Sequence, residues 1–218
     1  MINPKIITID GPAGAGKSTL AKEIAKRFGY LHLDSGALYR AIGYGCKLAG
    51  VDLKNREAVL KVAENLKVEL LPDGRVLLNG KDVTAKIRTP EGGLLASQVA
   101  QFPEVREIVV KLLRKMAEGK KIVIDGRDAG TYIFPNAELK IYLTASPEER
   151  ARRRYEELKK KGYSVTYEEV LKEVIERDRQ DENRPFAPLR VPDGAVVIDT
   201  TGKTLEEVLS EVEKLIDP

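Results

Sequence analysis

The chain has no tryptophan, one cysteine (Cys46) and one histidine (His32) among its 218 residues. One cysteine cannot close an internal disulfide, which fits a reducing compartment. One cysteine with one histidine also cannot build a Cys/His zinc site or an HExxH metal site. His32 sits in the apolar run Tyr30-Leu31-His32-Leu33-Asp34 and reads as a strand residue rather than a catalyst. No segment approaches the roughly 18 apolar residues of a membrane span. The apolar stretch Ile6–Ile9 is too short for a secretory h-region and runs straight into Asp10-Gly11, so a cytoplasmic location is expected. The charge excess is small: 37 Lys and Arg against 34 Asp and Glu leave +3, which does not argue for nucleic acid. With 42% hydrophobic and 33% charged residues the chain reads as an ordinary globule. A domain of this size buries roughly 70% of its unfolded surface and needs no covalent staples.

The most informative stretch is Gly11-Pro12-Ala13-Gly14-Ala15-Gly16-Lys17-Ser18, which matches G-x-x-x-x-G-K-[ST] at every fixed position. A short apolar strand pattern precedes it and a helical pattern, Ser18 to Phe28, follows. In this context the glycines let the backbone curl so that successive N–H groups face an anion, and the helix adds its positive end. Lys17 would reach the β- and γ-phosphates and Ser18 would hold Mg²⁺, with Thr19 next in line. The motif implies a nucleoside triphosphate and leaves its fate open.

Strand and helix signals alternate. Strand patterns lie at 5–10, 30–34, 121–125, 138–143 and 195–199, and helical patterns near 17–28, 36–49, 104–118, 146–161, 166–183 and 203–216. Ser146-Pro147-Glu148-Glu149 and Thr166-Tyr167-Glu168-Glu169 are helix-start signatures. The expected fold is α/β: a three-layer P-loop architecture with a central five-stranded parallel sheet, a small inserted antiparallel subdomain and a helical lid. The insertion, about 62–103, is marked by Lys67–Leu71, the turn Pro72-Asp73-Gly74 and Arg75–Asn79, with Asn79-Gly80 turning into a further strand. The whole chain, 1–218, is read as a single P-loop domain, with core segments 1–61, 104–145 and 186–218 and a lid with arginine-rich helices over about 146–185.

Charged residues cluster where ligands bind in such folds, at the carboxyl ends of strands. Asp34-Ser35-Gly36 follows the second strand, with Arg40 one turn on. These four read equally as a second phosphate site or as a helix cap beside a solvated arginine. Asp125-Gly126-Arg127-Asp128 ends a buried strand, where P-loop proteins place the acid that orients Mg²⁺ or its waters. Arg150, Arg153 and Arg154 share one helix face, and three adjacent cations repel unless an anion lies between them. Arg177, Asp181 and Arg184 form a second stripe that Pro185 ends. Charge runs are usually solvated faces with internal ion pairs, but two arginine stripes on consecutive helices also fit a lid closing over phosphates.

Taken together, Ile9-Asp10-Gly11-Pro12 through Thr19, Leu33–Arg40, Asn79–Thr84, Asp125–Asp128, Arg177–Arg184, Ala187-Pro188-Leu189 and Ile198–Thr201 resemble the bacterial-type cytidylate kinases over essentially the whole chain. The resemblance implies phosphoryl transfer from ATP to CMP or dCMP, with Mg²⁺, by a monomer that engages neither nucleic acid nor membrane. It implies that Gly11 through Thr19 bind ATP, and that Lys17, Arg127, Arg150, Arg153, Arg154 and Arg184 serve catalysis. It further implies that Ser97, Arg106 and Asp128 read the cytosine, that Arg40, Arg127 and Arg184 hold the monophosphate, and that Arg177 and Asp181 meet the ribose. Ser35 and Asp125 complete the acceptor pocket, and the lid corresponds to the Arg150–Gly162 region. Two positions depart from the family: Ser18 stands where many members have glycine, and Ala129 where a larger apolar residue is common. Two other readings stay open, a P-loop kinase for another nucleotide or metabolite and a switch or motor ATPase. Against the ATPase, Gly126 rather than Glu follows Asp125, and no N-K-x-D motif is present.

Overall fold

A computed structural model describes residues 4–216. Among these the chain runs β1 (Ile6–Asp10), α1 (Lys17–Phe28), β2 (Leu31–Asp34), α2 (Ser35–Leu48), α3 (Arg56–Asn65), β3 (Val68–Leu70), β4 (Val76–Leu78), β5 (Lys81–Asp82), α4 (Thr84–Ile87), α5 (Pro90–Val99) and α6 (Pro103–Ala117). It continues with β6 (Ile122–Gly126), a π-helical turn (Ala129–Ile133), β7 (Leu139–Thr144), α7 (Pro147–Lys160), α8 (Tyr167–Asn183), β8 (Val196–Asp199) and α9 (Leu205–Ile216). A five-stranded parallel sheet has the order β2-β6-β1-β7-β8, and a three-stranded sheet the order β3-β4-β5. The expected α/β class and both sheets are therefore present. The strand order reverses at β1, which pairs β6 on one side and β7 on the other. Ligands bind outside the carboxyl ends of strands at such a switch point, and the Gly-rich loop leaves β1 there.

The chain divides into two compact units, one formed by the chain up to Tyr30 and from Lys121 onward, the other by Leu31–Lys120. In the first unit β6 is buried at every residue, as a parallel strand covered on both faces must be. Ile7, Ile9, Val123, Ile141 and Leu143 from the strands pack with Leu20, Ala21 and Ile24 of α1 and Leu209 and Val212 of α9. A separate apolar cluster joins α7 to α8 through Ala151, Leu158, Val170 and Val174, with Tyr155 and Leu171 against it. Both helix starts expected from the sequence are formed: Ser146 caps α7, and Thr166 with Glu169 makes a reciprocal capping box on α8.

In the second unit the hairpin is in place. Val68 faces Leu78 and Leu70 faces Val76, while Asn79 and Gly80 turn the chain into β5 with positive φ at both residues. Three helices here were not anticipated, α3, α4 and α5. Asn55 caps α3 and Thr89 caps α5, whose first turn carries Pro90. Helix α5 escaped notice because Gly92 and Gly93 weaken its helical signal. The structure explains Gly92, since a Cβ there would lie 2.1 Å from the Ile87 carbonyl oxygen.

At Gly11, φ is +149° and a Cβ would stand 2.0 Å from the carbonyl oxygen of Leu143 in β7. Gly11→Ala should therefore lower the unfolding free energy by about 2–4 kcal/mol. Urea denaturation measures it, and a loss below about 0.5 kcal/mol would show that β7 yields without cost.

Candidate active site

The loop between β1 and α1 is built to leave amide groups open. Helix α1 starts after Gly16 at φ +96°, with no side-chain cap and no acidic residue in its first turn. Its first N–H groups and its positive end are left for an external anion. The loop carbonyls, in contrast, are taken. The Arg150 guanidinium donates to the Ala13 oxygen at 3.1 Å, the Thr200 hydroxyl to the Ala15 oxygen at 3.3 Å, and Lys17 Nζ to the Pro12 oxygen at 2.7 Å. In a trans peptide the N–H points opposite to the C=O, so tying back the Ala13 and Ala15 carbonyls turns the Gly14 and Gly16 amides the other way. Both glycines are exposed. Lys17 itself is buried, and its pKa falls well below the ordinary lysine value. Burial is the main cause and Arg127 adds to it, against the opposing pull of Asp125 and Asp181. An arriving phosphate would restore the charge that burial disfavours.

Asp125 and Arg127 lie two residues apart at the end of β6 and reach different elements. Ser18 Oγ donates to Asp125 Oδ2 at 2.6 Å, joining the start of α1 to the strand end. Arg127 Nε donates to Asp181 Oδ2 of α8 at 2.7 Å. Burial works against the Asp181 charge, yet Arg127 and Arg177 beside it hold the carboxyl below the usual range. Arg184 lies 3.7 Å from Asp128 and 3.9 Å from Asp181. The structure thus brings together Lys17, Ser18, Asp125, Arg127, Asp128, Arg177, Asp181 and Arg184, a cluster of alternating charge at the switch point.

The arginines of α7 show the internal ion pairs that the sequence left open beside a phosphate role. Arg150, Arg153 and Arg154 each stand against a carboxylate of the protein, and Glu149 and Glu157 also serve Arg152 and Lys161. Arg150 makes a two-pronged pair with Asp178 (2.9 and 2.6 Å) and its side chain is only 3% exposed. Arg153 pairs with Glu149 at 3.0 Å and donates to both the hydroxyl and the carbonyl of Thr200. Arg154 lies 3.6 Å from Glu157.

The second unit carries Ser35, Arg40, Ser97 and Arg106. Asp34 caps α2 through the Ala37 N–H at 2.9 Å and lies 3.6 Å from Arg88. The cap reading of Asp34 is therefore correct, whatever else the segment does. Ser35 is buried, and half-buried Arg40 donates to the Ile87 oxygen at 3.3 Å. Arg106 is buried in α6 with its guanidinium 5.4 Å from the Tyr39 ring centre, and Ser97 is half-buried on α5. His32 is a half-buried residue of β2.

Sequence reasoning assigned nothing to three residues that shape the site: Asp10, Asp178 and Thr200. Asp10 and Thr200 lie in segments singled out for their motif content, and Asp178 sits inside the arginine stripe, so the signal was present without a geometry to read it. Asp10 is fully buried and accepts N–H bonds from Ala129 (2.8 Å) and Gly130 (2.7 Å), fixing the turn after Asp128.

An uncapped helix behind a Gly-rich loop, with a hydroxyl–carboxylate pair and a ring of arginines at the sheet's switch point, defines a P-loop phosphotransferase. Solved structures agree on the fold. A gluconokinase from Sinorhizobium meliloti matches with a TM-score of 0.52 at 15% identity over 97% of this chain and 90% of its own, and an uncharacterised protein from Eubacterium ventriosum with a TM-score of 0.56 at 14% identity over 97% and 98%. The cytidylate kinase family model matches residues 7–217. The cytidylate kinase of Caldanaerobacter subterraneus subsp. tengcongensis is 52% identical over 99% of this chain and 96% of its own length, and that of Clostridioides difficile 46% identical over 97% and 98%. The chain belongs to the cytidylate kinase family, enzymes of nucleoside monophosphate phosphoryl transfer.

Burial pushes the Asp10 carboxyl up from 3.8 to about 6, against the lowering effect of its two N–H donors. Below about pH 4 the group is neutral in folded and unfolded chains alike. As pH rises towards 6 the unfolded chain ionises first, so this residue's contribution to stability declines across that window by up to about 3 kcal/mol. The difference in unfolding free energy between wild type and Asp10→Asn should accordingly fall between pH 4 and 6. A difference that stays flat would show that Asp10 does not titrate there.

Proposed function

We propose that the chain transfers the γ-phosphoryl group of ATP to CMP or dCMP, giving ADP and CDP or dCDP, with Mg²⁺ bound. The observation that carries this reading is the double reach of the β6 end. Asp125 touches the phosphate-loop serine while Arg127, two residues on, touches α8. One strand end thus serves a donor side and an acceptor side. The loop amides and Lys17 would take the β- and γ-phosphates of ATP. Arg127 and Arg184, now occupied by Asp181 and Asp128, would turn part of their donor capacity to the acceptor's phosphate. For Ser35, Arg40, Ser97, Arg106 and Arg177 the proposal carries over the roles that the family resemblance implies.

The Ser18 hydroxyl and Asp125 carboxylate fit Mg²⁺: both are hard oxygen donors, already within 2.6 Å of each other. Among the described residues no group of three or more His, Cys, Asp or Glu could hold a metal by itself. That suits a cation carried mostly by waters and substrate phosphates. When bound, the ion would neutralise phosphate charge. The remaining work falls to the chain: to align the acceptor oxygen with the γ-phosphorus and to compensate negative charge. No strong base is required, because the acceptor phosphate is already ionised, in keeping with a lone half-buried histidine. Helices α7 and α8 would form the lid that excludes water from the transfer.

Base choice follows from Asp128 and Arg106. A carboxylate accepts from the cytosine amine, whereas uracil would turn a carbonyl lone pair towards it, an unpaired contact worth about 1–3 kcal/mol. A panel of nucleoside monophosphates with ATP and Mg²⁺ should show CMP and dCMP turned over at least about tenfold better than UMP or AMP. Equal turnover of UMP or AMP overturns the assignment. Lys17→Ala should lower kcat about 10²–10³-fold with the fold retained by circular dichroism. Asp181→Ala should impair both riboses through its lost hold on Arg127, and CMP more than dCMP through the 2′-hydroxyl. Equal losses for the two would remove Asp181 from the sugar.

A further inference from the structure

We infer that Arg150 and Asp178 act as a strut between the phosphate loop and α8, and that they are positioning residues rather than phosphate ligands; the inference rests on the two-substrate reading above. Four of the five guanidinium N–H donors of Arg150 are in use: Nε on the Ala145 oxygen at 2.9 Å, one terminal nitrogen on both Ala13 oxygen and Asp178 Oδ1, the other on Asp178 Oδ2. Its charge is matched by the half-buried Asp178 carboxylate, so little is left for an incoming phosphate. The loop also leans on the same residue through its backbone. A Cβ at Gly14 would lie 3.1 Å from Arg150 Cβ and 3.2 Å from its carbonyl oxygen, so the crest of the loop rests on the first turn of α7.

The contacts close a circuit. From Ala13 the path runs through Arg150 to Asp178, one helical turn along α8 to Asp181, across to Arg127, back along the strand end to Asp125, and through Ser18 into the same loop. Asp178 stands next to Arg177 and three residues before Asp181, so fixing Asp178 fixes the stripe that faces the acceptor. The loop and α8 are then linked and order together. A triphosphate that orders the loop orders the acceptor residues too, and reciprocally, because coupling between two ligands is the same in both directions.

The test measures Kd for CMP by calorimetry, with and without saturating adenylyl imidodiphosphate and Mg²⁺, in wild type, Asp178→Asn, Asp178→Glu and Arg150→Lys. In the wild type the analogue should tighten CMP about fivefold or more. In Asp178→Asn and Arg150→Lys that factor should fall to near one, with KM for CMP raised about tenfold and, in Asp178→Asn, kcat changed less than about threefold. Asp178→Glu should recover part of it, and the double variant should be no worse than the poorer single one. A wild-type factor of one, or unchanged coupling in Asp178→Asn, overturns the strut. So does a lowered melting temperature with coupling intact, which is a structural role only. A kcat loss of 100-fold in Arg150→Lys with Asp178→Asn unaffected would instead make Arg150 a phosphate ligand. If Arg150→Lys does not fold, the two Asp178 variants carry the test. Wild-type protein that binds no CMP removes the proposed substrate; the strut then requires Asp178→Asn to weaken the ATP analogue alone, and an unchanged affinity overturns it.

Discussion

A cluster of buried and half-buried charge holds this site together, and its central contact is the Arg127–Asp181 pair at 2.7 Å. Lys17 is surrounded by Arg127, Arg177, Asp125 and Asp181, close enough for each to act on its charge. Any one of these groups left alone in such an interior would be costly. Together they nearly cancel, and they persist because each carboxylate stands against a cation from another element. The arrangement explains how a strand end, a loop and a helix far apart in sequence hold one geometry before any phosphate arrives. On the proposed function an anionic substrate would compete with protein carboxylates for the same guanidinium groups, and the resting ion pairs would hold the place of the ligand.

Much of the frame was legible in the sequence. The five parallel strands and the six helices inferred from periodicity and caps lie within about two residues of their observed limits. Short apolar runs, Ser146-Pro147 and Thr166–Glu169 are local signals that the structure does not override. What escaped was set by tertiary contact. Helix α5 reads poorly because Gly92, which serves close approach to the Ile87 carbonyl, stands beside a second glycine, and α3 has a single cap, Asn55, with few buried residues behind it.

The site divides in the same way. Lys17, Ser18 and Asp125 follow from motif spacing, because the chemistry requires those types at those positions. The status of the α7 arginines does not. Their spacing is equally consistent with a shared phosphate and with internal acids, and it does not reveal that Asp178, Glu149 and Glu157 stand against them. Thr200 lay in a quoted segment but received no role for a related reason. Its hydroxyl matters because the chain just past β8 returns to the Ala15 carbonyl and to Arg153 of α7.

The apolar cluster of α7 and α8 has a consequence for how the molecule comes apart. Ala151, Leu158, Val170 and Val174 pack among themselves and do not continue the core built on the central strands. A region with so small a core of its own forms a cooperative unit of low local stability. Its amide protons should exchange with solvent water through an opening in which β1, β6 and β7 stay protected. Helices α7 and α8 are thus the part of this unit that can loosen without unfolding the sheet.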